Sequence, residues 1–238
     1  TLDKRSNKNK KVALKMNMHQ NYDYVISSSK KTSLVFSKAF NVKLNRILNY
    51  GTPMLDYIYY KKNDKADEIK KKYHLNDKKI IVYLPTYRKN KVDYKNIISN
   101  IDFNKFQLVI KSHPVDGEKI DINNVTVIED YIAEDIISIA DYVISDYSNI
   151  VFESLLSYKK TFCYIYDYDI YRKEFGFNID LKKEFSEFSF SKFSDIMKEI
   201  ENNNYDFKKA QKFLDKYIEN FDGHATDRIT GFFLKILK

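Results

Sequence analysis

Three short polar segments carry the side chains best suited to chemistry: Pro85-Thr86-Tyr87-Arg88, Lys111-Ser112-His113-Pro114 and Ser145-Asp146-Tyr147-Ser148-Asn149. Each follows an apolar run that reads as a buried strand. Arg88 can fork two N–H donors onto two phosphate oxygens. Lys111 or a cationic His113 can neutralise further negative charge. Ser148 falls where a helix should begin, and the unpaired N–H groups of a helix start favour an anion. The same residues have plainer uses: Asp146 or Ser148 as an N-cap, His113 as a loop residue before proline, Arg88 as half of a surface ion pair. Three such clusters on one predicted sheet edge weigh toward a site for a phosphate-bearing ligand.

The elements that must position them alternate along the chain. Apolar runs at Ile80–Leu84, Phe106–Ile110, Val125–Ile128, Tyr142–Ile144 and Thr161–Tyr166 read as strands, the first closed by Pro85. Between them lie helical patterns: a charged one from Asp67 to Tyr73, a stripe of Ile132, Ile136, Ile137 and Ala140, and the strongly apolar Ile150, Val151, Phe152, Leu155 and Leu156. Short, nearly continuous apolar strands separated by helices indicate a parallel sheet covered on both faces. Such a sheet binds ligands beyond the carboxyl ends of its strands. Upstream, Tyr24–Ser27 and Arg46–Tyr50 read as short extended pieces around a helix at Ser33–Phe40. The second piece stops at Gly51-Thr-Pro53, a turn signal. The junction is placed there, giving a first region at 1–55 and a second at 56–238 that ends in helices from about Asp195.

Composition narrows the class. The chain has 238 residues, 43% hydrophobic, which is ample for a packed core. No apolar run reaches the roughly 18 residues that cross a bilayer, and no signal peptide opens the chain. The lone cysteine, Cys163, lies inside an apolar strand, as a buried residue and not a nucleophile. One thiol forms no internal disulfide, which suits a reducing cytoplasm. The net charge of +8 suits a polyanionic partner or an anionic membrane surface. It does not by itself indicate nucleic acid, because no nucleic-acid-binding motif accompanies it and the tyrosines fall within apolar strands as often as in basic loops. No compelling metal motif stands out, so neither a metal nor another cofactor is expected. The basic first 11 residues read as a loose end, and His19 as a surface residue.

A family resemblance joins these segments. The order YLPTYR, KSHP, then ADYVISDYSNIVFESLLSYKKTFCYIYDYDIYRKEFGF resembles the CDP-glycerol glycerophosphotransferases that build teichoic-acid or capsule polymers. Gly51-Thr-Pro-Met-Leu-Asp56 looks like that family's Gly-x-Pro-Arg-x-Asp segment, and Phe221-Asp-Gly-His-Ala-Thr-Asp-Arg228 like its C-terminal signature. The SDYSN stretch with its trailing helix is the most specific piece. The resemblance implies a GT-B-like fold: a doubly wound parallel sheet in a C-terminal nucleotide-binding domain, here 56–238, facing an acceptor-side domain of which 1–55 would be a remnant.

It also implies chemistry. CDP-glycerol is the donor, and glycerol phosphate passes to a hydroxyl of a polyol-phosphate or glycan acceptor that is lipid-linked, with CMP released. By match, Thr86 and Arg88 lie near the donor phosphates and His113 contacts the pyrophosphate. Lys111, Ser112, Asp146, Ser148 and Asn149 line the donor pocket, with Glu153 behind them; Arg88 and His113 carry the catalytic charge stabilisation.

 The expected location is the cytoplasm, and the lipid-linked acceptors of this family imply a peripheral place on the inner face of the cell membrane. Three departures stand out. Met54 replaces the usual arginine of the Gly-x-Pro segment, and Asn149 stands where a second serine or threonine is usual. The family's His-Gly catalytic segment has no counterpart here, so the general base is expected outside this chain, which alone would bind donor without turning it over. Two other readings stay open: CDP-ribitol or a nucleotide sugar on the same fold, and a basic, non-enzymatic module for nucleic acid or membrane.

Overall fold

The structure, a computed structural model, describes residues 21–61, 63–86, 92–111, 123–177 and 179–237. Their contacts divide into two compact units. One comprises the chain up to Tyr60, Tyr168–Asp180 and Gln211–Lys238; the other comprises Lys61–Asp167 and Leu181–Ala210. The turn at Gly51–Pro53 thus lies within the first unit, which two later segments rejoin.

The second unit is built on a six-stranded, wholly parallel sheet. To number its strands in chain order, the first unit supplies β1 (Val25–Ser27), α1 (Lys30–Phe40), β2 (Ile47–Asn49) and α2 (Pro53–Lys61). Then follow α3 (Ala66–Lys72), β3 (Lys79–Tyr83), α4 (Tyr94–Ser99), β4 (Phe106–Ile110), β5 (Val125–Val127), α5 (Ala133–Ile137), β6 (Tyr142–Ser145), α6 (Ile150–Leu156) and β7 (Lys160–Tyr164). After α7 (Tyr168–Glu174) come α8 (Leu181–Glu184), β8 (Ser189–Phe190), α9 (Phe193–Glu201), α10 (Phe207–Leu214) and α11 (Ala225–Ile236). The spatial order of the sheet is β5-β4-β3-β6-β7-β8. The chain therefore starts in the middle, winds outward to one side, and returns to wind outward on the other.

The apolar runs explain why this sheet forms. Ile80, Ile81, Val82 and Tyr83 of β3 are all buried, as are Val143 and Ile144 of β6 and Phe162 and Cys163 of β7. A strand buried on both faces needs no polar alternation. One face packs Ile80, Val82, Val109 and Val143 against Ile69 of α3 and Ile136 and Ile137 of α5. The amphipathic α9 buries Phe193, Ile196, Met197 and Ile200, the spacing of a single helical stripe.

In the first unit β1 and β2 pair in parallel. Ser29 caps α1 by accepting the Thr32 N–H at 3.0 Å, and Asn41 ends it in the left-handed region at φ 54°. The two stretches that carried the family resemblance outside the sheet meet here, 169 residues apart. The Asp56 carboxylate accepts the backbone N–H groups of Ala225 at 2.9 Å and Thr226 at 2.7 Å, so α2 caps α11. Arg228 returns the contact, donating to the Tyr50 carbonyl at 2.9 Å and bidentately to Asp222. Gly51, at φ +79°, makes room for this approach: a Cβ there would stand 3.2 Å from Ala225 Cβ and from the Asn220 carbonyl. Met54 is exposed, so the arginine missing from this segment leaves the Asp56 cap intact.

Burial opposes ionisation of Asp56, but the two N–H bonds and Arg228 outweigh it and hold the carboxyl below its usual range. Its contribution is present above about pH 4 and lost as the pH falls through the lowered value. Asp56→Ala is expected to cost about 1–2 kcal/mol, read as a lower urea midpoint at neutral pH and a smaller penalty in acid.

Candidate functional site

The strand order puts β3 and β6, which lead to opposite sides of the sheet, next to one another. That is the topological switch point, where an open parallel sheet leaves a crevice beyond its carboxyl ends. Backbone register aligns those ends: Tyr83 lies opposite Ile110 and Ile144, and Ser145 opposite Cys163. Leu84, Lys111 and Asp146 therefore leave the sheet at nearly one level.

Asp146 closes the junction. It is fully buried, and its two oxygens accept the Thr86 N–H at 3.0 and 3.1 Å, the Thr86 hydroxyl and its neighbour's amide, Tyr147 N–H, at 2.7 Å. Ser145 Oγ donates to the Leu84 carbonyl at 2.7 Å, and Leu84 N–H to the Ile144 carbonyl at 2.9 Å. A buried carboxylate is tolerated because each oxygen finds N–H or O–H donors. Asp146 thus fixes where Thr86 and the segment from Tyr147 onward leave the sheet.

Of the other residues expected from sequence, four are described. Ser148 is half-buried, and its Oγ accepts the Ile150 N–H at 3.3 Å, a long contact. Asn149 is exposed at the start of α6 and makes no side-chain cap bond. Lys111 leaves β4 and donates from Nζ to the Glu129 carbonyl at 2.9 Å, using one of its three donors. Burial lowers the Lys111 pKa, against the fields of Glu129, Asp130 and Glu134, which raise it. Glu153 lies in the first turn of α6. Burial, then the neighbouring Glu134 carboxylate, pushes its pKa up to about 7. Arg88, Ser112 and His113 lie outside the described residues, as does His19.

Cys163 is buried in β7, and burial pushes its thiol up, against any nucleophilic use. Among the described residues no group of three His, Cys, Asp or Glu side chains is placed to hold a metal ion. Two features escaped the sequence reading. Asp167-Tyr168-Asp169 has an Asp-x-Asp spacing, and Asp167 accepts the Tyr147 hydroxyl at 3.1 Å. Glu134 meets Glu153 from α5, where the helix's apolar stripe drew attention away from it.

The strand ends at the switch point thus lead to a lysine, to hydroxyl and amide groups and to an acid pair, residue types suited to an anionic ligand that also bears hydroxyls. Comparison with known proteins shows what the chain is similar to. The model of a family described as CDP-Glycerol:Poly(glycerophosphate) glycerophosphotransferase matches residues 1–235. A teichoic acid glycerol-phosphate primase of Bacillus subtilis is 27% identical, covering 90% of this chain and 58% of that protein. A teichoic acid ribitol-phosphate primase of Bacillus spizizenii is also 27% identical, covering 92% and 61%. A solved structure of the wall teichoic acid polymerase TagF, a variant soaked with CDPG, is 26% identical with a TM-score of 0.78, covering 95% of this chain and 60% of that one. The α/β, GT-B-like fold class is shared with it. The chain spans about three-fifths of the length of these relatives.

Because Asp146 is fully buried and holds three half-buried donors, Asp146→Ala should lower stability by on the order of 3 kcal/mol. Thr86→Ser, which keeps the hydroxyl, should stay within about 1 kcal/mol of the parent in the same urea titration.

Proposed function

The chain belongs to the CDP-glycerol:poly(glycerophosphate) glycerophosphotransferase family, and from that premise we infer that the protein moves glycerol phosphate from CDP-glycerol to a hydroxyl of a polymeric, lipid-linked acceptor in teichoic acid or capsule synthesis. What supports this is the switch point, where the Asp146–Thr86 clasp joins the ends of β3 and β6, Lys111 follows β4, Ser148 precedes α6 and Glu153 lies in its first turn. The acceptor oxygen attacks the phosphorus that bears glycerol, the bond from that phosphorus to the CMP oxygen breaks, and CMP leaves with the bonding pair. The acceptor proton passes to a general base. Such transfers depend on positioning and on stabilising charge.

In this reading Thr86, with Arg88 two positions on, approaches the donor phosphates. Lys111, Ser112 and His113 supply positive charge and hydrogen bonds to the pyrophosphate. Ser148 and Asn149 line the pocket and Glu153 faces nucleoside hydroxyls from below, while Arg88 and His113 stabilise the charge that develops on CMP. A required metal or cofactor forms no part of it. Among the described residues no helix is long and apolar enough to cross a membrane; contact with an anionic membrane surface from the cytoplasmic side would draw on the net charge of +8.

A second reading has CDP-ribitol as donor, favoured by the ribitol-phosphate primase at the same identity as the glycerol-phosphate one. Thermal shift separates the two. At about a hundredfold excess over Kd, the true donor should raise Tm by about 5 °C or more, and the other CDP-polyol by distinctly less. Stabilisation only by a UDP-sugar would overturn both. In CMP-release assays on the active protein, His113→Ala is expected to lower turnover by about a hundredfold or more; unchanged turnover would remove His113 from the site.

A further inference from the structure

Two carboxyl groups meet where α5 and α6 pack together, and nothing in the proposed transfer uses their contact. Glu134 lies in the first turn of α5 and Glu153 in the first turn of α6, and the two helices pack together. The side chains are in hydrogen-bonding contact, yet among the described residues no donor reaches the buried Glu153 Oε2. Two ionised carboxylates offer acceptors only. The contact is a hydrogen bond only when one proton sits between them.

We propose that Glu134 is a positioning residue for Glu153: the two carboxyls share a single proton, and that proton holds Glu153 in place to receive the nucleoside end of the donor. The proposal rests on the reading of Glu153 as a donor-side residue. The proton belongs to the pair and not to either residue. Its loss near neutral pH, where burial and the Glu134 field place the titration of Glu153 at about 7, leaves two negative charges in contact in a half-buried place. They separate, and Glu153 loses its placement beside an anionic donor.

Among the described residues, the charged groups on the surrounding elements have other partners or add negative charge. Lys111 at the end of β4 is tied to the Glu129 carbonyl. Glu129 and Asp130, after β5, add negative charge, and Asp130 is held by Lys72 and the Tyr73 hydroxyl. Asp135, on α5 itself, lends its field to Lys65. Asp146, at the end of β6, is engaged by Thr86 and Tyr147. Lys159, beyond α6, donates to the Ser138 carbonyl at the far end of α5.

The test pairs a direct probe with a functional one. Difference infrared spectroscopy on glutamate-labelled protein should show a protonated carboxyl that titrates near neutral pH and disappears in E134Q, whose amide N–H donates in the proton's stead. Calorimetric titration with CDP should show affinity flat below about pH 7 and falling by up to tenfold per pH unit above it. In E134Q the affinity should stay flat across the range, within a few-fold of the parent's low-pH value; in E134A it should be flat and weaker throughout. Stability gives a further check. A carboxyl raised above its unfolded value binds more protons in the folded state between about pH 4.5 and 7, so stability falls as pH rises through that window, and E134Q should flatten the fall. No titrating carboxyl in the infrared, or an E134Q affinity that still falls with the parent's midpoint, overturns proton sharing. A shared proton in a protein that binds no CDP at any pH overturns the positioning role together with the donor reading, while the proton itself stands.

Discussion

The carboxylate of Asp146 gripping Thr86 is the contact on which the site's geometry depends. It joins the ends of β3 and β6, the two strands from which the chain winds to opposite sides of the sheet. Parallel strands hold one another through the backbone, but the ladder stops where they end. Beyond Tyr83 one further backbone bond runs from Leu84 N–H to the Ile144 carbonyl, and past it a single buried carboxylate receives the Thr86 N–H, the Thr86 hydroxyl and the Tyr147 N–H. Ser148, Asn149 and Glu153 then follow in a fixed relation to Thr86, because α6 begins immediately after.

A second clasp does comparable service in the other unit. There the Asp56 carboxylate caps α11 and Arg228 grips the Tyr50 carbonyl. The two segments involved resemble family signatures and carry conspicuous charged residues, which invites a catalytic interpretation. Their observed partners are backbone groups and one another. The Gly51–Asp56 and Phe221–Arg228 stretches are the means by which residues far apart in sequence are kept adjacent.

Much of the sheet was legible because its strands are buried on both faces and so are nearly pure apolar runs; β3, β4, β6 and β7 needed no knowledge of their neighbours. What was not legible is who partners whom. The sequence shows Asp146 in a polar tip and cannot show it turned inward, satisfied by Thr86 sixty positions earlier. Glu134 was hidden by the isoleucine stripe it interrupts, and its partner lies on another helix. The helices Pro53–Lys61 and Tyr94–Ser99 escaped notice because tyrosines and polar residues blur their period, and β8, two residues long, is too short to leave a pattern. Arg88, Ser112 and His113 fall outside the described residues, so the sequence remains the basis for placing them in the site.

The central claim is that the carboxyl edge of this sheet at its switch point receives a nucleotide diphosphate. Backbone amide chemical-shift mapping during a titration with CDP tests it most directly. Saturable shifts concentrated at Leu84–Thr86, Lys111 and Ser145–Glu153 are the result the account predicts. Saturable shifts confined to the unit that holds β1 and α11, or none at any CDP concentration, would contradict it.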